Sequence, residues 1–355
     1  MSILELLTMT NVREASDLHL VPPYPPTIRI HGLLRQMMTY TNLTSEEIEE
    51  MVFSLLNPNQ KELLMTNKEI DFSTVITLTD GKTIRFRSNA YYQKGGLAAS
   101  FRLIPDKIKS IEDLGLPSIL HEFSKMKSGF ILLTGATGQG KSTTLASIIE
   151  EINMTRTVHI VTIEDPIEYV YPPQKAIISQ REMNQDTNSW RNALRVMLRE
   201  DPDVVYIGEM RDYDTVSTAL TIAETGHLVF STLHTNSASQ SIDRIIDMFP
   251  GNQQPQIRMQ MSMVLSGIVT QRLVPNIIGT RTPVCEILLA TSSVRSIIRE
   301  GKSHLIDNTI QTSRDMGMRL FEDSLKELVE KNIITNDVAL EHAFRPDQYL
   351  LITQQ

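Results

Sequence analysis

The sequence predicts an α/β protein in which a mostly parallel sheet follows a small α+β domain and precedes a set of C-terminal helices. Three observations support this prediction: apolar stretches that alternate with helical stretches in the middle of the chain, apolar–polar alternation in the N-terminal third, and helical spacing after about Thr291. The predicted domains are residues 1–105, a linker at 106–117 and a core at 118–355, which includes C-terminal helices at 292–355.

The composition of the 355-residue chain is that of an ordinary globular protein. Hydrophobic residues make up 41% and charged residues 21% of it, which excludes a disordered or fibrous chain. The net charge of −8 argues against a surface that binds polyanions. Cys285 is the single cysteine, so neither an internal disulfide nor a multi-cysteine zinc site can form. We find no signal peptide and no apolar window of ~18 residues, and we therefore expect a soluble cytosolic protein.

In residues 1–105 the pattern predicts a helix and a small antiparallel sheet. The segment Asn42 to Glu47 has a hydroxyl residue followed by acidic residues, ahead of apolar residues at helical spacing from Ile48, which is typical of a helix start. The segment Thr79 to Lys82 fits a tight hairpin turn. The predicted strands are Asp17–Val21, Thr27–Gly32, Phe72–Leu78, Thr83–Tyr92 and Leu97–Leu103.

Four strands are predicted in the core domain, and each is apolar along most of its length. Strands of this kind are buried on both faces, which is typical of a parallel sheet covered by helices. Ligands of such sheets bind beyond the carboxyl ends of the strands, so we expect functional residues just after them. The predicted core strands are Phe130–Thr134, His159–Glu164, Val204–Ile207 and Leu228–Thr232. The predicted C-terminal helices are Ser293–Glu300, His304–Ser313, Arg319–Lys331 and Thr335–Ala343.

A glycine-rich loop follows the first core strand and precedes a predicted helix, Thr144–Met154. The loop matches the G-x-x-x-x-G-K-[ST] pattern of a phosphate-binding loop. In such a loop, backbone N–H groups surround phosphate oxygens, Lys141 reaches the β- and γ-phosphates, and the Ser142 hydroxyl binds Mg²⁺. The sequence therefore predicts a site for a nucleoside triphosphate with Mg²⁺. Its predicted residues are Gly135, Thr137, Gly138, Gln139, Gly140, Lys141, Ser142 and Thr143.

Polar residues also follow the other three core strands. Glu164 ends the second strand, and Glu209 follows the third, where a Walker B motif more often has an aspartate. Hydrolysis needs an acid at the metal and a group that activates water, and these two are the candidates. His234 follows the fourth strand, where it can contact the γ-phosphate. Taken singly, each of the three could instead be a structural residue.

The four motifs, in this order, resemble those of the secretion ATPases of type II secretion and type IV pili. In that superfamily they are called Walker A, Asp box, Walker B and His box. The segments Ala15–Leu20 and Ile242–Pro250 also match, and within the superfamily the chain resembles the pilus retraction ATPases of the PilT type. This resemblance implies a RecA-like P-loop core, a PAS-like N-terminal domain, and ATP as the substrate with Mg²⁺.

The resemblance also implies roles for individual residues. Glu164 would be the water-activating base, Glu209 would support Mg²⁺, and His234 would contact the γ-phosphate. Arg87 and Arg102 match arginines that reach a nucleotide bound to the adjacent subunit, where an arginine stabilises the charge of the transition state. Without the resemblance, a solvated charge on an exposed sheet face is the better interpretation of both arginines.

By the same resemblance, the working unit is a homohexamer. We expect no nucleic acid among its partners, because the net charge is negative. It would associate peripherally with the cytoplasmic face of the inner membrane through a pilus platform protein, and a paralogous retraction ATPase is a further candidate partner. Where retraction ATPases carry Ala-Ile-Arg-Asn-Leu, this chain has Ser293–Ile297, in which only Arg295 and the apolar spacing are kept. This difference leaves open an accessory ATPase of the PilU type.

Three further functions are also considered. A pilus assembly or type II secretion ATPase would usually carry a four-cysteine zinc insert, which a chain with a single cysteine does not contain. A nucleic-acid translocase is disfavoured by the negative net charge. A nucleotide-binding regulator without turnover is disfavoured by the presence of Glu164, Glu209 and His234.

Overall fold

The computed structural model describes residues 2–30, 32–78, 81–104 and 107–354. The chain forms two compact units: one consists of Met1–Lys107 with Pro166–Val170, and the other of Ile108–Asp165 with Tyr171–Gln355. Thr79 and Asp80 of the predicted hairpin turn and position 106 of the predicted linker lie outside the described residues.

In its described part, the first unit contains a six-stranded sheet and three helices. The helices are α1 (Ile3–Val12), α2 (Ser45–Leu55) and α3 (Pro58–Asn67). The strands are β1 (Asp17–Leu20), β2 (Thr27–Ile30), β3 (Leu33–Gln36), β4 (Glu69–Thr77), β5 (Thr83–Gln93) and β6 (Gly96–Ile104). Each neighbouring pair is antiparallel, in the order β3-β2-β1-β6-β5-β4.

The alternation of apolar and polar residues gives this sheet one buried face and one polar face. Phe86 and Phe101, on β5 and β6, are fully buried in the core of the unit. Arg87 follows Phe86 and Arg102 follows Phe101, so the two arginine side chains are on the opposite face of the sheet. The two arginines are direct partners across β5 and β6. The polar face therefore carries both predicted arginines side by side.

In its described part, the second unit is a seven-stranded sheet with helices on its faces. The strands are β7 (Gly129–Thr134), β8 (His159–Glu164), β9 (Ile177–Glu182), β10 (Val204–Ile207), β11 (Leu228–Leu233), β12 (Leu265–Pro275) and β13 (Arg281–Leu289). Their order is β13-β12-β7-β11-β10-β8-β9, and all neighbours are parallel except β12 and β13. The predicted mostly parallel sheet is confirmed.

The helices of the second unit lie before β7, between later strands and after β13. They are α4 (Leu120–Lys125), α5 (Lys141–Thr155), α6 (Trp190–Met197), α7 (Tyr213–Glu224), α8 (Ala238–Asp247), α9 (Gln254–Val264), α10 (Ser292–Glu300), α11 (Ile306–Thr312), α12 (Phe321–Glu330), α13 (Asn336–His342) and α14 (Pro346–Thr353). The prediction that the chain is helical after about Thr291 is confirmed. Across the described ranges, no helix is both long and apolar enough to cross a membrane.

An apolar cluster attaches the C-terminal helices to the β12–β13 hairpin. Val274 and Val284 of the hairpin pack with Phe321 of α12, and all three are fully buried. Arg272 of β12 lies over two aromatic rings, with its guanidinium carbon 5.7 Å from the Phe321 ring centre and 4.2 Å from that of Phe344. Cation–π contacts of this kind add to the apolar packing.

Four charged residues lie beside this apolar cluster, and we call them the C-terminal charge cluster: Glu286, Asp307, Glu322 and Arg345. The side chains of Glu286 and Glu322 are fully buried, and Arg345 Nη1 lies 3.7 Å and 3.1 Å from their carboxylates. Arg345 Nη2 donates to Asp307. Burial raises the pKa of Glu286 to about 7, although the Ala238 N–H and Arg345 oppose the shift. The Arg345 guanidinium therefore forms ion pairs with three carboxyl groups.

Candidate nucleotide site

The carboxyl ends of four adjacent parallel strands form one edge of the sheet in the second unit. The strands lie in the order β7, β11, β10 and β8, with about 4.8 Å between neighbours. β7 leads into the predicted phosphate loop, and the other three lead to His234, Glu209 and Glu164. We call Lys141 together with these three residues the nucleotide edge. The topology thus brings the predicted motifs, which are far apart in the sequence, to one edge.

Glycine is required in the phosphate loop for two different reasons. Gly138 and Gly140 have φ values of 77° and 81°, which side chains with a Cβ adopt rarely. At Gly135, a Cβ would lie 2.3 Å from the carbonyl oxygen of Gln271 on β12. The pattern of glycines in the sequence therefore reflects both a left-handed backbone and close packing against the neighbouring strand.

The Lys141 ammonium folds back over its own loop. Its Nζ donates to the carbonyl oxygens of Gly135 and Ala136 at 2.7 and 3.0 Å and lies 3.5 Å from His234 Nδ1. The residue is buried, so these carbonyls help to satisfy a charge that is shielded from water. A phosphate oxygen is a stronger acceptor for an ammonium group than a neutral carbonyl. The arrangement can therefore exchange carbonyl partners for an anionic ligand.

His234 and Glu209 extend this chain of contacts along the nucleotide edge. His234 Nε2 lies 3.2 Å from Glu209 Oε1, and Arg211 Nε donates to Glu209 Oε2 at 3.1 Å. Burial lowers the pKa of His234, and the nearby Lys141 charge lowers it further, while Glu209 opposes the shift. The imidazole is therefore neutral at pH 7. A neutral imidazole has one N–H donor and one acceptor nitrogen.

Glu164 lies at the same edge and accepts hydrogen bonds from two side chains. It is buried, and its Oε1 accepts from Thr162 Oγ1 at 2.7 Å and from Gln180 Nε2 at 3.2 Å. These partners lie on β8 and β9. The structure thus joins Lys141, His234 and Glu209 in one chain of contacts, whereas the side chains of β8 and β9 hold Glu164.

The remaining loop residues lie at the start of α5 and on the outer side of the loop. Ser142 and Thr143 are partly buried in the first turn of α5, Gln139 is partly buried, and Thr137 is exposed. The Ser142 hydroxyl and the Glu209 carboxylate are oxygen ligands, which Mg²⁺ prefers. Mg²⁺ is commonly held by one or two carboxylates together with substrate phosphates, and this donor set fits that ion.

The two predicted arginines lie on the polar face of the sheet in the first unit. The Arg102 side chain is 68% exposed, and its Nε lies 2.9 Å from Asp17 Oδ1 on β1. The Arg87 side chain is 42% exposed, with its Nη1 3.9 Å from Glu168 Oε1. The Arg87–Glu168 pair is exposed on both sides, and such pairs are weak. Arg102 pairs with the buried carboxylate of Asp17, but most of its own side chain is exposed, so both guanidinium groups are accessible to a further anionic partner.

Sequence reasoning missed several residues that support the site. Gln180 contacts Glu164, and Gln271 contacts the phosphate loop. The strands that carry them, β9 and β12, were not among the predicted strands. The sequence held no clear signal for Gln271, because its neighbours Thr270 and Arg272 are also polar.

Comparisons with known proteins agree with the motifs. Residues 3–281 match the family model described as "Type II/IV secretion system protein". The type IV pilus retraction ATPase PilT of Pseudomonas aeruginosa is 40% identical over 349 residues, which are 98% of this chain and 100% of that protein. A twitching motility protein of Neisseria gonorrhoeae is 42% identical over 96% of this chain and 90% of its own length.

A solved structure is similar over the same extent. The crystal structure of the pilus retraction motor PilT with bound ADP superimposes with a TM-score of 0.89 at 43% identity. The match covers 98% of each chain. The similarity therefore includes both units of the molecule and is not limited to the nucleotide-binding part.

Proposed function

The chain belongs to the type II/IV secretion system protein family, and from this premise we propose that it is an ATP-hydrolysing motor that powers retraction of a type IV pilus. The observation that carries the proposal is full-length similarity to PilT proteins together with a complete nucleotide edge. An enzyme of this kind converts ATP and water to ADP and phosphate.

We infer that the nucleotide edge divides the chemistry among its residues. The loop N–H groups bind the phosphates, and Lys141 moves from the Gly135 and Ala136 carbonyls to the β- and γ-phosphates. Glu164 accepts a proton from the attacking water. The water oxygen bonds to the γ-phosphorus, and the bond between the γ-phosphorus and the bridging β-phosphate oxygen breaks. The neutral His234 has one N–H, which faces Glu209 in this structure, and we infer that it turns to donate this hydrogen bond to a γ-phosphate oxygen. Mg²⁺, held by Ser142 and Glu209, would neutralise charge on the phosphates.

The exposed arginines support the proposal that the motor is a ring. Arg87 and Arg102 lie side by side, and both would reach the nucleotide of an adjacent copy in a homohexamer. Such a ring couples hydrolysis to the geometry between subunits, because each site is complete only when the neighbour is docked. We propose that it acts at the cytoplasmic face of the inner membrane through a pilus platform protein, and that a paralogous retraction ATPase is a further partner.

The direction of the motor can be tested in cells. Deletion of the gene should leave cells with excess pili and without twitching motility, because pili would still assemble but not retract. Loss of pili would instead indicate an assembly ATPase. A partial defect that a paralogous ATPase relieves would indicate an accessory role.

The role of Glu164 can be tested by Glu164→Gln. Because an amide cannot accept the proton of the attacking water, kcat should fall about 10²–10⁴-fold, with little change in the Kd of ATP. The measurement is steady-state ATPase activity with Mg²⁺. Glu200→Gln is the control, since Glu200 is a partly buried glutamate of the same unit that pairs with Arg181 and lies outside the nucleotide edge. Equal kcat values for Glu164→Gln and the wild type would remove Glu164 from the role of base.

The action of Arg102 on a neighbouring copy can be tested in mixed rings. Arg102→Ala should lower kcat by about tenfold, equivalent to 1.4 kcal/mol of transition-state stabilisation, because Arg87 remains beside it. When Arg102→Ala subunits are mixed with Lys141→Ala subunits, activity should exceed the mean of the two variants, because a Lys141→Ala neighbour supplies an intact Arg102 to a site with an intact phosphate loop. Arg35→Ala, at an exposed position of β3, is the control in place of Arg102→Ala. A mixture of Arg102→Ala and Lys141→Ala with only the mean activity would contradict action between subunits.

A further inference from the structure

The strand β12 borders the phosphate loop on the side away from the nucleotide edge. It pairs with β7, whose other neighbour is β11. Gln271 of β12 is buried, and its amide contacts two parts of the nucleotide site. Its Nε2 donates to the carbonyl oxygen of Gln139 at 2.7 Å, and its Oε1 accepts from the Thr144 hydroxyl at 2.7 Å. One side chain therefore joins the loop to the first turns of α5.

The phosphate loop contacts the same strand in return. Gln139 Oε1 accepts from the backbone N–H of Leu273 at 2.6 Å, so Gln139 exchanges two hydrogen bonds with β12. The backbone is also in close contact, because a Cβ at Gly140 would lie 2.8 Å from Gln271 Nε2. The loop thus rests directly on this strand, without an intervening side chain at Gly140.

We propose that Gln271 is a positioning residue that holds the phosphate loop in its nucleotide-binding conformation. This inference rests on one part of the proposed function, which is that the loop binds ATP. If the amide is removed, the Gln139 carbonyl and the Thr144 hydroxyl lose a buried partner, and such a loss is costly unless the groups move to water. Movement of either group displaces the loop N–H groups or the start of α5, both of which must point at the phosphates.

The test uses Gln271→Met, which keeps the length of the side chain and removes both hydrogen bonds. The Kd of a fluorescent ATP analogue and the KM for ATP should each rise about tenfold, while kcat changes less. Thr270→Val is the matched control: Thr270 is equally buried in the same strand, but its hydroxyl pairs with Thr134 of β7. Both variants should lower the thermal unfolding midpoint, and only Gln271→Met should weaken binding.

A second variant keeps the test informative if Gln271→Met does not fold. Thr144→Val removes the other partner of the amide and should also raise the Kd. The double variant should bind about as weakly as Gln271→Met alone, because both changes break the same contact. An unchanged Kd in Gln271→Met or Thr144→Val, or an equal rise in Thr270→Val, would overturn the inference. If the wild type binds the analogue but does not hydrolyse ATP, the proposed function fails while the Kd comparison still tests Gln271.

Discussion

The nucleotide edge and the C-terminal charge cluster both combine buried charges in the second unit, but their surroundings differ. At the edge, the side chains of Glu209 and His234 are 26% and 42% exposed. In the cluster, the carboxylates of Glu286 and Glu322 have no exposed surface. The first group is open to a ligand, whereas the two glutamates of the second are buried and only Arg345 and Asp307 are partly exposed.

This difference determines which charged side chains can exchange one binding partner for another. Lys141 is held by neutral carbonyl oxygens, which an anion can replace at little cost. Arg345 is held by three carboxyl groups from β13, α11 and α12, so its release would leave buried charges unpaired. We therefore expect substitutions at the edge to change activity and substitutions in the cluster to change stability.

The largest effect is expected for Lys141→Ala. Loss of the ammonium should lower kcat/KM by about 10³-fold, or about 4 kcal/mol, because no other loop side chain supplies a positive charge to the phosphates. The thermal unfolding midpoint should change little. The measurements are ATPase kinetics and thermal denaturation without nucleotide.

Lys125→Ala is the control for this prediction. The Lys125 side chain is 64% exposed and pairs with Glu122 on α4, so its removal should change neither kcat/KM nor the thermal unfolding midpoint. A large loss of stability in Lys141→Ala with unchanged kcat/KM would reverse the distinction between the edge and the cluster.

The next largest effect is expected for Arg345→Ala. Removal of one partner from a buried ion-pair cluster costs about 3 kcal/mol, which lowers the apparent Tm by about 8 °C for a unit of this size. The KM for ATP of the folded protein should not change. Arg314→Ala removes a more exposed guanidinium that pairs with Asp323, and its Tm should fall by much less. Equal falls in the two variants would show that the cluster does not stabilise the helices.

The smallest effect is a pH dependence that comes from Glu286. Its pKa is about 7 in the folded protein against an ordinary value of 4.5, so between these values the folded state binds more protons than the unfolded state. Stability from this group is therefore present at low pH and is lost as the pH rises through 7. As the pH rises from 5 to 8, the free energy of unfolding of Glu286→Gln should increase by about 2 kcal/mol relative to that of the wild type.

The measurement is the difference in Tm between Glu286→Gln and the wild type at each pH. This difference isolates Glu286, because the other groups that titrate in the same range, such as His121, are present in both proteins. Asp307, Glu322 and Arg345 face Glu286 in both proteins as well. A difference that stays constant from pH 5 to pH 8 would mean that the carboxyl is ionised throughout.

The sequence predicted the parts of the fold that have local signals. β8 and β10 have the predicted bounds, and α2 begins within the predicted start segment, where Thr44 and Glu47 exchange hydrogen bonds. The phosphate loop and the order of the four motifs also follow from the sequence, because each motif adjoins an apolar strand. The catalytic roles of the motif residues stay predictions.

Other elements were missed for physical reasons. β12 pairs with β7 across more than a hundred residues, and no local pattern marks that contact; β13 pairs with β12 alone. α1 follows Ser2, which stands three residues before Glu5, a spacing typical of a helix start, although the Ser2 side chain makes no hydrogen bond at the N-cap. α3 has a capping box of Asn57 and Gln60 before a polar helix. Sequence reasoning could have used both signals.

One feature of the chain path bears on how the protein can be taken apart. After Glu164 the chain runs through one residue and then contributes Pro166–Val170 to the first unit before it returns to the second. A single cut near residue 107 would therefore leave this segment without the unit in which it packs. Excision of the first unit would disturb the backbone two residues from Glu164, so a truncated core that lost activity would not by itself show that the arginines of the first unit take part in hydrolysis.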